Sequence, residues 1–358
     1  DGRRRESGFT RRLLLATTIQ GVALAGLGYR LYSLQVPQQS MRDALVSMIT
    51  VQGDTEFASV EQQRHLLASA PTDYDRYAAA RIMAEEQRHG WQMAYLLMTY
   101  FGQQGRREAQ KLLERNAQDG DRLLGAFNRP MPHWLDFFCY TMFVDRDGKF
   151  QLGMLSTSAF KPLAASMGPM LKEESFHLGT GSNGLRRVIK AGVIPLDMLQ
   201  RFFNKWVSTA HDLFGVDASS SAHWSYVWGV KGRWDERKKL DAGIEVDKEV
   251  LNEEARGHYH TEIVGEVGKL NGYLPEGSAP LIVPHENFNR AIGAFKRQRF
   301  TIEGVAFEGS DEEWDAYMQA ALPSAADEEL LKELFKQEWV ANKPMSARQI
   351  ASGIGAKV

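Results

Sequence analysis

The chain has 358 residues, 43% of them hydrophobic, which permits one large domain or two modest ones around a substantial core. A formal charge of −2 argues against nucleic acid as the main partner. Cys139 is the single cysteine, so an internal disulfide and an iron–sulfur cluster held by this chain are excluded, redox electrons have to come from another protein, and the cytoplasm is the default compartment.

Residues 1–36 stand apart. Arg3, Arg4, Arg5, Arg11 and Arg12 precede Leu13 to Tyr29, an uncharged run of 17 residues that is marginal for spanning a bilayer and carries Thr17, Thr18 and Gln20. We read this segment as foreign to the catalytic fold, with a membrane anchor through residues 13–34 as the alternative.

Past Pro37 the pattern turns helical. A first helix is expected from Met41 to about Leu67, carrying Glu56 inward. After the breaker Ala70-Pro71-Thr72-Asp73, with Thr72 or Asp73 as N-cap, a second runs from about Tyr74 to Phe101 and carries Glu86 and His89. Arg106 to Gln118 reads as a short polar helix that helps the chain cross the bundle. A third long helix, about His133 to Phe160, holds Asp145, and Gly148 within it is expected at a close packing contact. A fourth, about Pro162 to Lys190, holds Glu174 and His177. Beyond it we expect helices over Leu196–Phe214, Val246–Leu270 and about Asp327–Trp339. An irregular stretch over Ser219–Lys239 and an extended one from Gly272 onward separate them.

Two Glu-x-x-His tetrads carry the chemistry: Glu86-Gln87-Arg88-His89 and Glu174-Ser175-Phe176-His177. Glu56 precedes the first by 30 residues and Asp145 the second by 29, a repeat that chance does not readily produce. Residues three apart share a helix face, so a Glu and a His from one turn can hold the same metal. Four carboxylates and two imidazoles from four helices are the ligand plan of a dinuclear iron or manganese site in a helical bundle. The doublets Glu85-Glu86 and Glu173-Glu174 leave a choice that the tetrad spacing resolves toward Glu86 and Glu174. The expected fold is therefore all-α: a ferritin-like four-helix bundle over residues 37–195, a C-terminal helical extension over 196–345 packed on it, and a tail over 346–358.

The segment from about Val51 to Asn342 resembles the oxygenase component of benzoyl-CoA 2,3-epoxidase, and more distantly the catalytic subunit of phenylacetyl-CoA epoxidase. The likeness runs through Gln52-Gly53-Asp54-Thr55-Glu56-Phe57-Ala58-Ser59-Val60-Glu61-Gln62-Gln63-Arg64-His65, then Glu86-x-Arg88-His89, Asp145-Arg146-Asp147-Gly148-Lys149-Phe150-Gln151-Leu152 and Glu174-x-x-His177. It implies a di-iron monooxygenase that uses O₂ to epoxidise the ring of an aryl-CoA thioester. Electrons would reach it from a separate NADPH-dependent reductase. By the same resemblance Glu56, Glu86, His89, Asp145, Glu174 and His177 are the iron ligands. Gln52, one turn before Glu56, is either an extra ligand or a hydrogen-bond partner of the site.

Other candidates are weaker. Arg186, Arg187 and Lys190 are candidate contacts for CoA phosphates, or a solvated helix end. Met83, Trp91, Met93, Phe137, Phe138, Phe143 and Phe176 are candidates for an aromatic pocket, though core explains most of them. His258 and His260 read as surface histidines, and His65 as core or a second layer around the metals. The alternative class is a non-catalytic ferritin-like iron-binding protein or an inactive remnant. A radical-bearing subunit would need a tyrosine beside the metals, and Tyr140 is expected to lie off that face.

Overall fold

The computed structural model describes residues 40–247, 249–296 and 298–351; the anchor-like segment and the end of the tail lie outside the described residues. Two compact units are distinguished, residues 1–45 and 46–358. Of the first, residues 40–45 are described, and they are helical. Among the described residues of the second, every regular element is helical, apart from an isolated bridge between Phe300 and Ala306. This is the all-α class expected.

Four long helices make the bundle: α1 (46–63), α2 (Asp73–Tyr100), and, after the shorter α3 (Gly102–Glu114), α4 (Trp134–Leu155) and α5 (Lys161–Ala191). Their ends follow local chemistry. A 3-10 turn, Arg64–Ser69, closes α1. The Thr72 hydroxyl accepts the Asp75 N–H at 3.2 Å and starts α2. Gly192, at φ 68°, ends α5 in the left-handed conformation that a side chain would resist. α4 stops at Leu155 rather than running to Phe160, because Ser158 turns the chain by accepting the Phe160 N–H at 3.2 Å before Pro162 opens α5.

α4 is the central helix of the unit from residue 46 onward. Every residue from Trp134 to Asp147 is buried, so the helix is covered on all sides rather than along one stripe. α5 packs against it most extensively, and two glycines set the approach. A Cβ on Gly181 would lie 2.4 Å from the Met142 backbone N, and one on Gly184 2.2 Å from the Phe138 ring. Gly148, expected in such a role, has open space where its Cβ would stand.

The covering layer comes from α6 (Leu196–Leu213) and, beyond the short α7 (Ser220–Val227) and α8 (Glu236–Asp241), α9 (Asn252–Asn271). α7 and α8 replace part of the irregular stretch expected over 219–239. α9 begins at Asn252, six residues later than expected, because the Asp217 carboxylate caps it there, accepting the Asn252 and Glu253 N–H groups at 2.6 and 2.8 Å. Two further helices follow, α10 (Asp311–Ala321) and α11 (Ala325–Leu334), and a last turn, α12 (Ala347–Ala351). α10 was not anticipated, although Ser310 and Glu313 spell out the reciprocal capping box that opens it. Trp339 lies past the end of α11 and packs at a tilt against Phe335, ring centres 4.3 Å apart. Among the described residues no helix is long and apolar enough to cross a membrane.

Candidate metal centre

The four bundle helices bring the tetrads together. Glu56 from α1 with Glu86 and His89 from α2 forms one buried group of converging ligand atoms. Glu86 with Asp145 from α4 and His177 from α5 forms another, so Glu86 belongs to both. Glu174 completes the set, its Oε2 lying 3.5 Å from His177 Nδ1. The imidazoles of His89 and His177 stand 6.5 Å apart, centre to centre.

Both histidines are oriented the same way. Each Nδ1 faces the inner carboxylates: His89 Nδ1 lies 3.3 Å from Glu56 Oε2, and His177 Nδ1 3.1 Å from Glu86 Oε1. Each Nε2 faces outward to a carboxylate of the opposite tetrad helix, His89 to Glu173 at 2.6 Å and His177 to Glu85 at 3.0 Å. Glu85 and Glu173 are thus exchanged between α2 and α5 as supports for the imidazoles. The doublets split by role, and the inner members are the ones the tetrad spacing selects. Gln52 donates to Glu56 Oε1 at 2.7 Å, which is the hydrogen-bonding role.

Electrostatics fit a dication pair. Burial, and then the Glu56 charge, push the Glu86 carboxyl well above the usual range; burial, and then Glu174, do the same to Asp145. Burial alone would neutralise His177, but Glu174 and its other carboxylate neighbours hold it well up. Positive charge placed among these groups would favour the ionised form of both carboxyls. Asp145 Oδ2 is buried without a hydrogen-bond partner, and Glu174 Oε2 and His177 Nδ1 approach carboxylate or imidazole atoms without hydrogen-bond geometry, which is unusual for native polar atoms and suits groups that bind a metal. An oxygen-rich set with two imidazoles suits iron or manganese.

Beside these ligands lies a cavity of about 120 Å³. Its walls are two helical stripes: Met48, Val51, Gln52, Thr55, Glu56 and Ser59 on α1, and Tyr140, Val144, Asp145, Asp147, Gly148, Gln151, Leu152 and Leu155 on α4. Leu124, Phe127 and Leu213 cover it, and Glu86 and Glu174 reach its floor. The volume is near that of an apolar cavity of about 150 Å³ known to hold a benzene molecule. A larger cleft, about 1020 Å³ around Tyr74, His133 and Lys343, contains none of the tetrad residues.

Several expectations are corrected. None of the seven candidate pocket residues borders the cavity, and five of them, Met83, Met93, Phe137, Phe138 and Phe143, are core, as the sequence reading favours; Phe127 and Tyr140 supply the aromatic wall, while Trp91 is exposed. Tyr140 lies on the cavity face, contrary to expectation, and burial and then the Asp145 charge keep its phenol protonated. The signal for it was the α4 stripe itself, read at helical spacing from Tyr140 to Leu155. Arg187 is buried and taken up by Asp75 and the Ala341 carbonyl, so it is not free to meet a phosphate. Arg186 binds Asn183, and Lys190 is exposed over Tyr273. His65 is exposed rather than a support to the site. His258 is exposed as expected, whereas His260 is half-buried against His211, 3.3 Å between ring nitrogens.

Four carboxylates and two imidazoles gathered inside a helical bundle describe a candidate dinuclear centre of the ferritin-like class. The chain belongs to the phenylacetic acid catabolic protein family, whose model matches residues 33–279. It is also similar to benzoyl-CoA oxygenase component B of Aromatoleum evansii, 38% identical over 329 residues, covering 80% of this chain and 69% of that protein.

Proposed function

We propose that the chain is the oxygenase component of a multicomponent system and epoxidises the ring of an aryl-CoA thioester, benzoyl-CoA foremost. The observation that carries this reading is a ring-sized cavity with a mostly apolar surface onto which four of the six converging side chains, Glu56, Glu86, Asp145 and Glu174, open. Glu56, Glu86, His89, Asp145, Glu174 and His177 would hold two iron ions, which when reduced supply O₂ activation. The name of the Aromatoleum relative, benzoyl-CoA oxygenase, supports the substrate class, and its designation as a component supports a separate electron donor. NADPH would drive that donor.

The chain's own residues do the rest. Val144, Leu152, Phe127 and Tyr140 exclude water and hold the ring flat against the ligand floor, which fixes the reacting carbons relative to the metals. Glu85 and Glu173 keep the imidazoles turned inward. Residues 37–195 would form the metal bundle and 196–345 the layer that shields it. An iron-storage protein needs no apolar cavity at its ligands, so the cavity favours the enzyme.

The test is anaerobic iron loading, then O₂ with benzoyl-CoA, a matched reductase and NADPH, with the CoA ester weighed by mass spectrometry. The expected product has gained one oxygen atom. Clean iron uptake with no oxygenated ester would favour the iron-binding alternative.

A further inference from the structure

An aromatic pair leads out of the metal cavity. The Tyr140 ring lines the cavity with Glu56, Glu86, Asp145 and Glu174, and its other side meets Trp206 of α6 edge to face, ring centres 5.4 Å apart. Trp206 is buried, and its indole Nε1–H donates to Asp136 Oδ1 at 2.8 Å. The same oxygen accepts from Lys205 Nζ at 2.7 Å, while Asp136 Oδ2, fully buried, faces His133 Nδ1 at 3.4 Å.

A buried indole needs one acceptor, and a neutral carbonyl would serve. A carboxylate there, its charge offset by Lys205 at 2.7 Å, does more than such a role requires. What a carboxylate adds is the capacity to take the proton that Trp206 Nε1 already directs at its Oδ1.

We propose that Trp206 is a one-electron donor to the metal cavity, with the Tyr140 ring as the bridge and Asp136 as the proton acceptor. The inference rests on the proposed oxygen-activating function. Iron held by these residues would, with O₂ and no substrate in the cavity, supply a one-electron oxidant there. Trp206 loses one electron to it through Tyr140, and the Nε1 proton passes to Asp136 Oδ1, leaving a neutral indolyl radical and a protonated carboxyl. An external one-electron reductant of the thiol or ascorbate class then restores the indole, which recovers its proton from Asp136. Electron tunnelling falls steeply with distance, and two rings in edge contact make a short aromatic route from the cavity into α6. The cavity residues are thereby spared oxidation.

The experiment uses full-length, iron-loaded protein, chemically reduced and mixed with O₂ without aryl-CoA. Freeze-quench electron paramagnetic resonance is recorded, with iron uptake and O₂ consumption measured on the same sample. The expected result is an organic radical whose hyperfine pattern changes when tryptophan is ring-deuterated and does not change when tyrosine is. Peptide mass spectrometry should place oxidation on Trp206. Trp206→Phe should abolish the signal and cut the number of turnovers before inactivation several-fold, with the initial rate on aryl-CoA unchanged. Should that variant fail to fold, the isotope comparison in the unaltered chain still decides. Iron uptake and O₂ consumption with no radical, or with a radical sensitive only to tyrosine labelling, would overturn the relay and leave the oxygenase reading standing. A sample that takes up no iron or consumes no O₂ overturns both.

Discussion

Glu85 and Glu173 do more for the site than their positions beside Glu86 and Glu174 suggest. Each holds the outer nitrogen of the histidine on the opposite helix, and each is tied in turn to an arginine of α2, Glu85 to Arg81 at 2.9 Å and Glu173 to Arg88. A carboxylate on the far side of a ligating imidazole fixes its tautomer and raises its basicity. Glu85→Gln and Glu173→Gln should therefore each weaken metal affinity by about 10–100-fold, measured by competition with a chelator, while the fold by circular dichroism stays intact. Asp147 makes a different test. Burial pushes its carboxyl up to about 7, with the Gln151 amide and the Lys231 charge pulling the other way. Because the folded value lies above the unfolded one, the metal-free protein loses stability as pH rises from about 4 to 7 and bears the whole penalty above that. Asp147→Asn keeps an acceptor for Gln151 and removes the charge. In urea titrations it should be more stable than the unaltered chain above pH 7, with the gap closing toward pH 4; a gap that widens on acidification would contradict the assignment.

Among the elements, α4 decides most. Its faces meet α5, α6 and α9, and the remaining stripe borders the cavity. Gly181→Ala would push a methyl onto the Met142 backbone and the Thr141 hydroxyl, which cannot yield without moving α5. The expected cost is about 1–3 kcal/mol in chemical denaturation, with weaker metal binding because His177 and Glu174 ride on the same helix. Gly148 is the converse case: its Cβ position is open and borders the cavity. Gly148→Val should leave iron uptake unchanged and lower turnover of an aryl-CoA by filling the ring's place. The ligand helices were legible in sequence because two tetrads and two carboxylates recur at matching intervals. The cavity was less so: its stripes on α1 and α4 mix Gln, Thr, Ser, Asp and Gly with apolar residues, so they do not look like a binding face. Aromatic content pointed instead to Phe137, Phe138 and Phe143, whose side chains fill the core between α4 and its neighbours. α10 was missed although Ser310 and Glu313 announce it, because its interior is largely polar and exposed.

At the scale of the whole unit from residue 46 onward, distant segments are fastened to the bundle by buried ion pairs. Arg187 of α5 joins Asp75 of α2 and the Ala341 carbonyl, tying the tail's approach to the start of the second helix. Sequence alone offered Arg187 as a solvent-facing cation, because nothing local marks a partner 112 residues away. Arg187→Ala leaves the Asp75 charge buried and unpaired, and should cost about 3–5 kcal/mol in denaturant unfolding. A near-neutral result would mean that water reaches Asp75. The proposed function requires six side chains to grip two metal ions, and iron content reads this most directly. Protein loaded anaerobically with ferrous iron and passed over a desalting column is predicted to retain two irons per chain by elemental mass spectrometry, and Glu86→Ala, which removes the carboxylate shared by both groups, fewer than one. Unaltered protein that retains no transition metal, or a Glu86→Ala variant that retains both irons, would contradict it.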